Sequence, residues 1–362
     1  MTINDSVEKD IEGLGNDEDA SLGDYPLDTF LIRNENRTVH DVIRRMEKGS
    51  FIMDPDFQRE FIWPEDKQSK LIESVLMRIP LPVFYLAENS KGQMIVVDGL
   101  QRLSTFQRFV NNELKLKLPD QKELDGKIFN RLSPKLQNRV EDCNLTLYII
   151  DAKVPPQALL DIFERVNSGI PLTRQQMRNC LYMGSATKFL KSEANSDIFL
   201  KSTGRSLQKS TMRDREMINR FCAFKLLPIS SYRGDMDAFL ALALEKMNTM
   251  DSKELELIST QFRTSLRNNF TVFGNHAFRK FAKGQESRSV FNASLWDVMS
   301  TGLSEYAEHV VEAKADLLRE SFWVMLEDTE FNSSITLGTN QVNRVMCRFN
   351  RTRQMLVEVF DA

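Results

Sequence analysis

Five consecutive residues, Asp98-Gly99-Leu100-Gln101-Arg102, bring together groups that handle an anion. Arginine offers a planar fork of donors that matches phosphate. The glutamine amide can orient a phosphate oxygen or a water, and glycine lets a ligand approach the backbone. With Mg2+, an aspartate in such a set can help polarise a phosphate. The chemistry these residue types point to is the holding, and with a metal the hydrolysis, of a phosphate ester. The same five residues also read as a capping aspartate, a turn glycine and an arginine in a structural ion pair.

The flanking residues say what must position this stretch. Ile95-Val96-Val97 is a β-branched apolar run that reads as a buried strand end. Asp98 and Gly99 break it. Leu103, Phe106 and Val110 then fall at helical spacing, so a helix follows, running to about Asn111. A helix start carries unpaired backbone N–H groups and a partial positive charge, which suits an anion. Val83-Phe84-Tyr85-Leu86 is expected to be the partner strand, joined to the first through a turn at Asn89-Ser90-Lys91-Gly92.

Further polar groups lie on either side. The segment from Phe51 to Pro64 is dense in aromatics and charge and contains Gln58 and Arg59. A second constellation runs from Phe163 to Thr173, with Arg165, Asn167 and a turn at Asn167-Ser168-Gly169. Thr173 is expected to cap a helix carrying Gln175, Gln176, Arg178 and Asn179. That stretch suits a polar cleft, and equally a solvated helix-turn-helix corner. Leu114 to Leu118 alternates like a strand. Thr38 reads as the cap of a helix through Lys48, and Ser133-Pro134 as another helix start. Beyond about Lys188 the apolar pattern is helical almost throughout. The last helix places Arg344, Arg348 and Arg351 on one face, either to meet phosphate or to be solvated.

Several chemistries are excluded by their signatures. The sequence contains no GxxxxGK[ST], GxGxxG or GxSxG. His40, His276 and His309 are scattered, with no HExxH or HNH-like cluster, so no metal-ligand residues are assigned. Cys143, Cys180, Cys222 and Cys347 form no CxxC pair and read as reduced thiols of a cytoplasmic protein. No apolar run approaches bilayer length, so no membrane association is expected. A length of 362 residues predicts two domains. The net charge of −3 is uneven. Residues 1–25 carry eight acids against Lys9 alone and are expected to be a disordered acidic tail, which leaves a mildly basic remainder.

Four segments in order resemble one family. Phe57-Gln58-Arg59 with Trp63, Lys67-Gln68 and Leu71-Ile72-Glu73-Ser74 is similar to its YQR…W…KQ…LIES run. Ile79-Pro80-Leu81-Pro82 resembles its G-I-P-x-P step, Val97-Asp98-Gly99-Leu100-Gln101-Arg102-Leu103 its VDGQQRL signature, and Phe163-Glu164-Arg165-Val166-Asn167-Ser168-Gly169 with Met177-Arg178-Asn179 its FxRxNxG…xRN segment. The family is the domain of unknown function 262, found at the N-terminus of GmrSD-type modification-dependent restriction enzymes. The resemblance spans roughly residues 26–190.

The resemblance implies an α+β, ParB/sulfiredoxin-like domain over residues 26–190, and the helical apolar pattern beyond it predicts an all-α domain over residues 191–362. It also implies binding and hydrolysis of an NTP, with Mg2+, in prokaryotic defence against phage or modified DNA. Carried over by position, Asp98, Gln101 and Arg102 become the catalytic residues. Gly99, Gln58, Arg59, Arg165 and Asn167 become nucleotide contacts. Leu100 departs from the family's glutamine and is expected to face the core. Nothing after residue 190 supplies the HNH-type histidines of a restriction nuclease. The expectation is an NTPase that works with DNA or with a nuclease or methyltransferase partner. The rival reading is a non-catalytic, ParB-like DNA-binding or adaptor module that uses the same pocket as a phosphate clamp.

Overall fold

The computed structural model describes residues 11–14, 32–52, 63–89, 92–155, 158–159, 161–162, 165 and 173–361. They gather into two compact units: residues 32–165 in one, residues 11–14 with 173–361 in the other. The first mixes helices with a sheet and the second is almost wholly helical. The first described strand, β1 (Ile11–Glu12), belongs to the helical unit.

The α/β unit is built on a five-stranded sheet. Its strands are β2 (Ile32–Thr38), β3 (Phe51–Ile52), β4 (Phe84–Glu88), β5 (Met94–Asp98) and β6 (Asn144–Ile150), in spatial order β2-β6-β4-β5-β3. β4 runs parallel to β6 and antiparallel to β5, the hairpin expected from the sequence. Helix α1 (Val39–Glu47) starts where Thr38 Oγ1 accepts the N–H of Asp41 at 3.2 Å, and buries Val39, Val42, Ile43 and Met46. Helices α2 (Glu65–Leu76), α3 (Leu100–Val110) and α4 (Pro134–Glu141) belong to the same unit. Ile72 and Val75 from α2, Leu103, Phe106 and Phe109 from α3, and Phe84, Leu86, Leu147 and Ile149 from the sheet share one core. Each such side chain contributes roughly 1.5–3 kcal/mol by leaving water.

Leu114, Leu116 and Leu118 are buried in alternation, but no strand forms there. Their backbone closes instead on a local loop and a side chain: Leu116 exchanges hydrogen bonds with Gly126 and Lys127, and Ser69 Oγ accepts from Lys117 N at 2.9 Å. Alternating burial therefore needs no sheet neighbour when a turn supplies the acceptors.

The helical unit begins at Thr173, earlier than the expected residue 191. The reason lies in α5 (Arg174–Leu181). Thr173 and Gln176 form a reciprocal capping box, Thr173 Oγ1 donates to Thr211 O at 2.8 Å, and Gln176 Nε2 donates to Ser210 O at 2.7 Å. Gln175, Gln176, Arg178 and Asn179 are buried among helices, so they form no open cleft. The chain continues through α6 (Ser185–Ala194), α7 (Asp197–Ser202), α8 (Arg213–Leu226), α9 (Met236–Thr249), α10 (Ser252–Phe273), the two-residue strand β7 (Phe291–Asn292), α11 (Ala293–Gly302), α12 (Glu308–Ala313), α13 (Ala315–Glu327), α14 (Thr329–Ser334) and α15 (Val342–Phe360). Trp296 packs against Phe199, Phe262 and Phe278 at its centre.

Two expectations about charge are corrected here. Arg348 does not share a phosphate-facing surface of α15. It is fully buried and bonds Asp297, which also takes a two-pronged pair from Arg220. Arg351 pairs with Glu330. The acidic N-terminus is not wholly a disordered tail. β1 pairs in parallel with β7, Glu12 pairs with Lys280, and Gly13 O accepts from Thr339 Oγ1 at 2.9 Å. Ile11 and Leu14 pack on the helical core, which gives this short segment an apolar reason to order. The rest of residues 1–25 lies outside the described residues. No described helix is long and apolar enough to cross a membrane.

Candidate phosphate-binding turn

Strand β5 ends at Asp98, and α3 begins two residues later. The intervening Gly99 has φ +100° and ψ 6°, a left-handed conformation that L side chains rarely adopt. A Cβ built on it would overlap the ring of Phe84, reaching 2.9 Å from Cε1. Gly99 is therefore required twice, by its backbone and by the ring beside it. It also leaves α3 without a side-chain cap. The helical ladder begins with Leu103 N donating to Gly99 O at 2.9 Å, so the N–H groups of Leu100, Gln101 and Arg102 find no acceptor within the helix. Leu100 packs against the core of the unit, as expected for an apolar residue at that position.

Arg102 lies inward. It is only 8% exposed, and its guanidinium lies over the Phe84 ring with Cζ 4.2 Å from the centroid. Nη1 donates to Pro82 O, and Nη2 donates to Val83 O at 3.1 Å and to Asp98 Oδ2 at 2.8 Å. Burial pushes the guanidinium pKa down, and the Asp98 carboxylate pulls it part of the way back. Asp98 and Arg102 thus tie the end of β5 to the approach of β4. This joins the Asp-Gly-Leu-Gln-Arg stretch to the Ile-Pro-Leu-Pro step.

That step carries a local strain. Arg78, which precedes Ile79, has φ +62°. It stands where the resembling family places glycine, and glycine fits such a conformation without a Cβ penalty. Arg78→Gly is expected to raise the stability of the α/β unit by roughly 0.5–1 kcal/mol, read as a higher urea midpoint with unchanged slope.

Gln101 points to the α2 side. Its Oε1 accepts the backbone N–H of Trp63 at 2.9 Å. The Trp63 carbonyl accepts from Gln68 Nε2, and Gln68 Oε1 accepts from Arg108 Nη1 at 2.7 Å. Gln68 is 1% exposed, so this amide relay is internal. Lys67 Nζ stands over the Trp63 ring at 4.4 Å.

The structure brings together Asp98, Gly99, Gln101 and Arg102. Arg165 is described and exposed. Gln58, Arg59 and Asn167 lie outside the described residues. Sequence reasoning did not assign Phe84, Gln68, Trp63 or Arg108 to this site. One signal was available: Gln101 and Arg108 are seven residues apart on one helix face, so a single partner helix can meet both. Among the described residues, no group of three or more His, Cys, Asp and Glu side chains could hold a metal ion. Among the described residues, no side chain caps the three N–H groups at this positive helix end, which lie beside the partly exposed Asp98 carboxylate.

The site is thus a strand that runs through an Asp-Gly turn into a helix without a side-chain cap, within a mixed α/β unit. Residues 39–183 match the model of the family described as the GmrSD restriction endonuclease, N-terminal domain, the family that the four sequence segments resemble. No curated protein and no solved structure matches the chain.

Proposed function

We propose that the α/β unit binds a nucleoside triphosphate at the Asp98–Arg102 turn and hydrolyses it, as the switch component of a prokaryotic restriction-type defence system. The family match supports the restriction context. The observation that carries the nucleotide reading is the helix start behind Gly99, which has no side-chain cap and leaves three N–H groups without an acceptor within the helix. In this reading the backbone holds phosphate. Asp98 is the described residue that would hold Mg2+, which supplies neutralising charge to the phosphates. Gln58 and Arg59 add side-chain contacts, and Arg165 and Asn167 add others. Arg102 acts on the turn rather than on the ligand. The helical unit meets DNA or a nuclease or methyltransferase partner. The ParB/sulfiredoxin-like assignment of the fold belongs to the same proposal.

The engagement of Arg102 and of Gln101 Oε1 within the fold favours a second reading. The turn then serves as a phosphate clamp in a DNA-binding or adaptor module, without hydrolysis. Equilibrium binding and phosphate release, measured on the full chain with each of four NTPs and Mg2+, with and without DNA, separate the two. The first reading expects saturable NTP binding and turnover. Salt-dependent DNA binding without NTP binding supports the second, and an absence of both overturns each.

A further inference from the structure

Helix α2 ends in a turn whose geometry calls for glycine. Ile79 N donates to Ser74 O at 2.9 Å and Arg78 N donates to Val75 O at 2.9 Å, the paired bonds of a Schellman end. Arg78 fills its left-handed position, with φ +62°. A second cation stands in a disfavoured place. Lys135 lies in the first turn of α4, a positive helix end whose first turn holds no acid. Both residues line one cavity of about 450 Å³, formed by the end of α2, the Ile79–Leu81 step and α4. Lys135, Asn138, Arg139 and Asp142 are spaced i, i+3, i+4 and i+7, so a single face of α4 supplies them. Arg139 is set in place by donating through Nη1 to Leu76 O at 2.8 Å. Among the described residues, no hydrogen bond or ion pair engages the Arg78 guanidinium or the Lys135 ammonium.

From this we infer that the cavity binds a phosphate monoester, with Arg78, Lys135 and Arg139 meeting the phosphate and Val75 and Ile79 meeting its organic part. Three cations face one carboxylate, Asp142, which leaves the lining with a net charge of +2. A phosphate monoester carries about −1.5 to −2 near neutral pH and matches that charge, whereas a monocarboxylate neutralises half of it. The guanidinium fork also fits phosphate oxygens. The volume is that of a site for a small organic ligand. A strained arginine costs the fold stability, and such strain is kept where the side chain has a task. None of the lining residues belongs to the Asp98–Arg102 turn, so this is a second site and does not rest on the nucleotide reading.

The experiment titrates phenyl phosphate, inorganic phosphate and benzoate into the full chain by calorimetry. Phenyl phosphate is expected to bind roughly tenfold or more tightly than either of the others, because inorganic phosphate lacks the apolar part and benzoate lacks the second charge. It is also expected to shield Cys143, which lines the cavity, from iodoacetamide, and to leave Cys347 of the helical unit unshielded, as read by peptide mass spectrometry. Arg78→Gly is expected to weaken phenyl phosphate by about fivefold or more while the urea midpoint rises, and Lys135→Gln to weaken it by a similar factor. Asp142→Asn is expected to tighten it by about twofold or more, since the opposing charge is gone. Adenosine monophosphate that displaces phenyl phosphate and binds more tightly assigns the ester to a nucleotide, and weaker binding assigns it to a non-nucleotide ester. Failure of phenyl phosphate to bind overturns the inference. So does binding that neither shields Cys143 nor responds to Arg78→Gly and Lys135→Gln, because the ligand then sits elsewhere. A lower urea midpoint in Arg78→Gly with unchanged affinity overturns it as well, because the arginine then serves the helix end.

Discussion

Arg102→Ala is expected to destabilise the α/β unit by about 3–5 kcal/mol, a loss large enough to unfold much of it. Arg102 is 8% exposed, and its guanidinium serves three acceptors, Pro82 O, Val83 O and Asp98 Oδ2, while stacking on Phe84. Alanine removes all of these donors and leaves a void over the ring. The carbonyls and carboxylate lose their partner in a site where water replaces it poorly. Lysine is no substitute, since one ammonium cannot span the fork. Urea unfolding with a fluorescence readout measures the loss. Asp98→Asn is expected to cost less than Arg102→Ala, because the two carbonyls keep their donor. A lost activity in Arg102 variants is then a consequence of a lost turn, and it is interpretable only beside the stability measurement.

Gly99→Ala is the second large effect. The cost of a Cβ at φ +100° is roughly 1–2 kcal/mol, and overlap with Phe84 adds a strain of about 1–3 kcal/mol. Phe84 is fully buried at the head of β4 and cannot swing away without disturbing the hairpin. Relief must come from movement of Gly99 itself, which would re-aim the N–H groups of Leu100, Gln101 and Arg102. The expected outcome is a lower unfolding midpoint together with loss of NTP binding. Pairing Gly99→Ala with Phe84→Leu trims the ring and is expected to return part of the stability, while the left-handed backbone cost remains. A double-mutant cycle on unfolding midpoints checks that coupling.

These two positions also show what was legible in the chain. The strand, turn and helix around Asp98 follow from a β-branched run, an Asp-Gly break and a 3.6-residue period, and β5 and α3 occupy the expected stretches. Thr38, Thr173 and Pro134 mark helix starts because capping and the missing proline N–H are local chemistry. The direction of Arg102 was also written there. It precedes Phe106 by four residues and Phe109 by seven, and both are buried, so it sits on the core stripe. Its residue type suggested a ligand contact, and its position suggested an internal ion pair. Position prevails at Arg102 because Asp98, also four residues away, neutralises it at 2.8 Å.

Other features needed the third dimension. The Gln101–Trp63–Gln68–Arg108 relay joins residues up to 40 positions apart, and no spacing rule connects an amide to a distant backbone N–H. The early start of the helical unit at Thr173 depends on acceptors at Ser210 and Thr211. The ordering of Ile11 and Glu12 depends on β7, about 280 residues away along the chain. Composition alone gave those residues to the acidic tail, because a charge run says nothing about a distant edge that can receive it.

The account turns on the three N–H groups behind Gly99. The direct measurement is an NTP titration, with Mg2+, of the full chain labelled with nitrogen-15, followed through the backbone amide resonances of Leu100, Gln101 and Arg102. The account predicts that these three shift together and saturate with the NTP, and that they move with tripolyphosphate as well. Binding that leaves all three amides unmoved, or no binding of any NTP, would contradict it.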